Sequence, residues 1–150
     1  MTPLQPGAAA PTFPGVVFGD GPIGLFFYKV TCGTCQLVAP KMRSFERTFP
    51  GRVIGVGQDP EQDLEAFRIA HTMEIHTVED APPYPVSAAY GIVSVPVLFL
   101  VGEDGRILES VGAWDRTGFN RVAEVMAELT GADPVVISTP DDGLPEFKPG

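Results

Sequence analysis

From Ile23 to Val30 the chain reads Ile-Gly-Leu-Phe-Phe-Tyr-Lys-Val, apolar or aromatic at almost every position and bounded by Asp20-Gly21-Pro22 and Gly33. A short continuous run closed by turn residues predicts a buried strand. The period then lengthens. Val38, Met42, Phe45 and Phe49 recur four, three and four residues apart, with Lys41, Arg43, Glu46 and Arg47 largely between them. This spacing predicts an amphipathic helix that begins near Cys32 and stops at Pro50-Gly51. Pro40 falls inside it, removes one backbone donor and is expected to kink it. Val53 to Gly57 predicts a second strand. Asp59-Pro60-Glu61-Gln62 has the makeup of a helix start, with Asp59 as cap, Pro60 in the first turn and Gln62 placed to reach back. Leu64, Phe67, Ala70 and Met73 would form its inner face.

Residues 74–85 are expected to be a connector, because three prolines crowd Pro82 to Pro85. A short helix follows from Val86 to Tyr90, ended by Gly91. Val95 to Val101 predicts a strongly apolar strand, Glu103-Asp104-Gly105 a turn, and Arg106 to Val111 a half-buried strand, together an antiparallel hairpin. Thr117 is the expected cap of a last helix whose inner face is Phe119, Val122, Met126 and Leu129, with Gly131 as its stop. The order is strand, helix, strand, helix, hairpin, helix. That order implies an α/β fold, with a central mixed sheet flanked by helices on both faces. Residues 1–15 hold four prolines and two glycines and read as an extended leader of weak structure. Residues 16–131 would form the domain, and residues 132–150, rich in Pro, Asp and Gly, a tail.

Composition narrows the partners. Of 150 residues, 44% are hydrophobic and 19% charged, which suits one globular domain with a single core. Asp and Glu total 19 against 10 Lys and Arg, a net charge of -9. A phosphate backbone would be repelled over most of such a surface, so nucleic acid is not an expected partner. The longest apolar run, Val95 to Val101, contains a proline and falls far short of the roughly 20 residues that span a bilayer. No membrane partner is expected. The first 12 residues carry no Lys or Arg and no continuous apolar stretch, unlike a secretory signal, so the expected location is cytoplasmic.

The candidate chemistry is concentrated in the two cysteines, Cys32 and Cys35. Cys32-Gly33-Thr34-Cys35 stands where the first strand should hand over to the first helix. Free N–H groups and the positive end of the helix dipole at that junction favour a thiolate, which makes Cys32 the expected nucleophile. Cys35 lies one turn deeper on the same side, within reach for a disulfide. Two buried structural cysteines would be the bland alternative. A zinc site would need more ligands, and only His71 and His76 remain by type, so no metal is expected. No cofactor beyond the dithiol/disulfide is expected either.

Three separated segments resemble the thioredoxin superfamily over about Ile23 to Gly131. They are Phe26-Phe27-Tyr28 leading to Cys32-Gly33-Thr34-Cys35 and Pro40, then Tyr90-Gly91-Ile92-Val93-Ser94-Val95-Pro96-Val97-Leu98-Phe99, then Asp104-Gly105-Arg106 followed by Val111-Gly112-Ala113. Gly7-Ala8-Ala9-Ala10-Pro11-Thr12-Phe13 is similar to the leader of the thiol-reductase and peroxiredoxin-like branch. The resemblance implies a thioredoxin-like fold and a thiol-disulfide oxidoreductase. In it Cys32 attacks, Cys35 resolves, and Pro96 is a cis-proline opposite the dithiol. Gly33, Thr34, Val95 and Gly112 would form a shallow apolar rim that receives the partner, with Trp114 either joining that rim or packing as an aromatic beside the last helix. The implied partners are a disulfide-containing protein substrate and an unidentified thiol electron donor. The chain departs from thioredoxin proper at Thr31 and Thr34, where that protein has tryptophan and proline, and at Phe26, where it buries an acid. Lys29, Asp59 or water would then have to take the proton of Cys35.

Two other functions compete. A peroxiredoxin-like peroxidase would place threonine three residues and proline seven residues before its reactive cysteine, but those places hold Lys29 and Leu25 for Cys32. A binding module that keeps the fold without redox turnover is the non-enzymatic alternative.

Overall fold

The structure, a computed structural model, describes residues 2–150. Along the chain run β1 (Ile23–Tyr28), α1 (Gly33–Thr48), β2 (Val53–Gly57), α2 (Glu61–His71), β3 (His76–Glu79), α3 (Pro85–Ala89), β4 (Val97–Val101), β5 (Ile107–Gly112), β6 (Trp114–Asp115), α4 (Arg116–Thr130) and β7 (Phe147–Lys148). Five strands form one sheet in the order β3-β2-β1-β4-β5. β1 lies parallel to β2 and β2 to β3, while β1–β4 and β4–β5 are antiparallel. The mixed sheet is therefore as the element order implies. Alternation along the central strands sends Phe26, Tyr28, Leu98 and Leu100 to one face, and Leu25, Phe27, Val97, Phe99 and Val101 to the other.

The two faces are covered unequally. α1, α2 and α4 pack on the first face through Val38, Met42, Phe45, Leu64, Phe67, Phe119, Val122 and Met126. The second face is closed by Tyr90 at the end of α3 and by residues of the first 15, chiefly Ala10 and Phe13. Those first residues, expected to have weak structure, are pinned instead. Gly7 and Ala10 donate backbone hydrogen bonds to Ile107 and Gly105 at 2.8 Å, and the Tyr90 hydroxyl donates to the Pro11 carbonyl at 2.6 Å. An extended proline-rich segment can be ordered when a sheet edge supplies partners that its own sequence lacks.

Several local expectations are corrected. Residues 76–79 are not connector but the edge strand β3, paired to β2 from Ile54↔His76 to Gly57↔Glu79. Four residues next to a proline cluster carry too little alternation to announce themselves. Asp59 does not cap α2. Pro60 occupies the N-cap without a side-chain bond, and Glu79 from β3 accepts from the Glu61 amide at 2.6 Å. Ala70 faces solvent while Met73 is buried. α4 begins after Asp115 rather than Thr117. Leu129 is 51% exposed and Ala123 and Ala127 take the inner positions. α1 runs without interruption through Pro40.

Residues 132–150, read from the sequence as a tail, pack back on the domain. Asn120 on α4 accepts the Ile137 and Ser138 amides at 2.9 Å each and donates to the Ser138 carbonyl at 2.8 Å. Asp142 meets Lys41 at 2.7 Å and Arg116 at 3.6 Å. The segment then pairs β7 with β6, Trp114↔Lys148 and Asp115↔Phe147. Among the described residues, no helix is long and apolar enough to cross a membrane.

Candidate active site

β1 delivers the chain to a turn at Lys29–Thr31, which the side chains of two neighbours hold in shape. Asp59 accepts the Val30 amide at 2.8 Å, and Gln36 donates to the Val30 carbonyl at 2.9 Å. The Cys32 amide donates to the Lys29 carbonyl at 3.1 Å. Cys32 then becomes the N-cap of α1 with extended backbone, φ -82° and ψ 113°. Its sulfur accepts from the Cys35 amide at 3.1 Å, the place a serine or aspartate oxygen takes in an ordinary cap. No acidic side chain stands in the first turn of α1 to compete for that positive end.

The two sulfurs differ in environment. Cys32 is half-buried and Cys35 is fully buried, and both are free thiols. Burial pushes the Cys35 thiol well above its ordinary value, and the adjacent Cys32 sulfur adds to the rise. Cys35 shares the core of the first face with Phe26 and Tyr28, whose rings stack at 5.5 Å between centroids. Tyr28 gives its hydroxyl to a 3.0 Å hydrogen bond with Thr77. The expected substitutes for the missing acid are otherwise engaged. Asp59 holds the turn, and the Lys29 ammonium sits 5.7 Å from the centroid of the Tyr84 ring.

The Val95–Pro96 peptide is cis. The Val95 carbonyl faces the dithiol and accepts from the Cys32 thiol at 3.5 Å, and the Pro96 carbonyl accepts the Ala113 amide at 2.9 Å. Of the rim residues expected from the sequence, Gly33 and Gly112 are exposed and Val95 is half-buried. Thr34 is only 4% exposed, because its hydroxyl donates to the Pro149 carbonyl at 2.7 Å. Of the two places open to Trp114, rim or packed aromatic beside the last helix, it takes the packed one. It has no exposed surface, packs 4.7 Å from Phe119 and donates its indole N–H to the Pro145 carbonyl at 2.7 Å. A large aromatic with one donor is well used as a floor for a chain that brings a carbonyl.

Three contributors were not foreseen. Asp59 acts as a brace of the turn. Ala113 takes a left-handed φ of 64° beside Pro96. Pro149 lies against Thr34 and Gly150 against Val95. A brace could have been suspected from an acid placed just after β2, but nothing local marks the other two. Among the described residues, no group of three or more His, Cys, Asp or Glu is placed to hold a metal ion.

Comparison with known proteins bears on this geometry. The sequence model of the AhpC/TSA family matches residues 17–110. No curated protein matches. Among solved structures, the chain is similar to the thioredoxin domain of a thiol-disulfide oxidoreductase from Bacteroides vulgatus. The identity is 21% and the TM-score 0.70, covering 82% of this chain and 99% of that one. It is similar to a protein from Chlorobium tepidum described as the thiol:disulfide interchange protein DsbE, at 26% identity and TM-score 0.62, covering 71% and 84%. It is also similar to a protein from Bacteroides thetaiotaomicron described as a protein disulfide isomerase, at 18% identity and TM-score 0.71, covering 87% and 95%. The fold is thioredoxin-like, as the sequence resemblance implied.

Proposed function

The chain belongs to the AhpC/TSA family, and on that premise we propose that it is a thiol-disulfide oxidoreductase acting on disulfides of protein substrates. One observation carries the reading. Cys32 is accessible at the start of α1 and its sulfur accepts the Cys35 amide at 3.1 Å, with a second thiol buried directly behind it. The thiolate is the attacking species in disulfide exchange, and of the two sulfurs the accessible one, Cys32, is the one a substrate can meet. The Cys32 thiolate attacks one sulfur of a substrate disulfide. The substrate S–S bond breaks, one substrate thiolate leaves, and a mixed disulfide forms on Cys32. Cys35 then loses its proton and attacks the Cys32 sulfur, releasing the second substrate thiolate and leaving Cys32–Cys35 joined. Two electrons pass from the dithiol to the substrate, and a thiol donor returns them. In the cytoplasmic setting expected from the sequence, the resting form is the dithiol.

Trapping tests the reading. Cys35→Ser incubated with a disulfide-bonded protein is expected to retain it covalently on Cys32, and Cys32→Ser to retain nothing. Turnover of a protein disulfide by Cys32→Ser at the parent rate would refute the assignment. Catalytic loss of hydrogen peroxide without disulfide exchange would establish the peroxidase reading instead, against which Lys29 and Leu25 stand at the diagnostic positions.

A further inference from the structure

We propose that Phe147–Gly150 is a built-in occupant of the substrate position, a strap that lies along Thr34 and Val95 and must lift before a protein disulfide reaches Cys32. The inference rests on the oxidoreductase reading for its consequence, though its geometry stands apart from it. Pro149 places its carbonyl on the Thr34 hydroxyl at 2.7 Å. Gly150 comes so close to the Val95 carbonyl that a Cβ there would collide with it. That oxygen is also the one facing the Cys32 thiol. The strap therefore covers the polar groups beside the dithiol that an extended polypeptide would use. Its composition fits the place, because Pro149 offers an acceptor with no donor and only glycine fits at position 150.

The strap is held by unequal attachments. Upstream, Ile137 and Ser138 are 8% and 1% exposed and clamped by Asn120, and Asp142 is fastened to Lys41 and Arg116. Downstream, the residues from Pro145 onward are all exposed. They are fixed by the two-residue β6–β7 ladder, by the Arg116 amide on the Glu146 carbonyl at 3.0 Å and by the Trp114 indole on the Pro145 carbonyl. The Phe147 side chain, 57% exposed, adds little apolar burial. A firm anchor followed by a lightly bonded stretch is a hinged cover, opened at the expense of a few solvent-edge hydrogen bonds. Cys32 itself stays partly accessible beneath it. Small disulfides therefore react with the strap in place, whereas a polypeptide must displace it. Discrimination by substrate size follows.

Lys148→Pro, which cannot donate to the ladder, and Gly150→Leu, which cannot fit against Val95, each loosen the strap from an exposed position. Reduction of insulin is expected to speed up roughly ten-fold in both as the open fraction rises, while hydroxyethyl disulfide stays within about two-fold of the parent. Equal acceleration with both substrates, or none with either, would overturn the strap. Failure of the parent and both variants to reduce any disulfide would overturn the oxidoreductase reading alone. The strap is then decided by hydrogen exchange in Cys35→Ser carrying a peptide coupled through Cys32. Faster exchange over Glu146–Lys148 upon coupling upholds it, and unchanged protection overturns it.

Discussion

Cys32 and Cys35 carry the same side chain three positions apart, and the fold makes them chemically unequal by placing one at a helix cap and the other inside the core. The pH dependence of stability should reveal the buried one. Its thiol is raised above the ordinary 9.0 by burial first. Above about pH 9 the folded chain thus keeps a proton that the unfolded chain releases, so stability is full below that pH and falls as pH rises past it. The urea midpoint of the reduced protein is expected to decline above pH 9, and Cys35→Ala to lessen the decline. Tyr28 and Tyr90, also pushed up by burial, act with the same sign at higher pH, so the variant comparison isolates the thiol. The spacing of the two cysteines was legible in the sequence. Their inequality was legible only in part, because Cys35 is buried in a core that residues of several other elements complete.

At the scale of elements, hydrophobic period predicted α1, β2 and β4 well, because Val38, Met42, Phe45 and Phe49 all reach the core and a strand buried on both faces needs no partner to declare itself. Caps were read less well. Asp59 and Thr117 have the right chemistry, but a carboxylate goes to whichever unpaired amide lies nearest in space, and for Asp59 that was Val30. α3 shows the same logic. Its N-cap residue Tyr84 supplies no side-chain bond. Asp80, 2% exposed, reaches across from the end of β3 to accept the Val86 and Ser87 amides at 3.0 and 2.8 Å and the Ser87 hydroxyl at 2.7 Å. Asp80→Ala would strip the Val86 and Ser87 amides of their acceptor and leave the Ser87 hydroxyl with Gln58 alone, and is expected to lose about 2–3 kcal/mol in urea unfolding. A loss within about 0.5 kcal/mol would mean that water or a neighbour replaces the carboxylate.

Over the whole molecule, the two ends of the chain act as cladding on a sheet that the middle builds. Residues before Gly15 close the second face, and residues after Gly131 cross the first and finish beside the dithiol. Asp142 is a principal fastening, its carboxyl held well below the usual range by the Lys41 ammonium first and the Ser138 hydroxyl next. Asn120 is another. Asn120→Ala is expected to cost about 2 kcal/mol of stability through the two amides it abandons and to make residues 132–150 a site of early proteolysis; unchanged cleavage would show the segment to be held elsewhere. The strand and helix periods, the mixed sheet and the dithiol at the first strand-to-helix junction were readable along the chain, because each follows from residues close together in it. That β3 pairs at the edge, that Trp114 is floor rather than rim, and that Pro149 lies on Thr34 came only with folding. Those depend on backbone groups of distant segments finding one another, and a backbone amide or carbonyl looks alike in nearly every residue type.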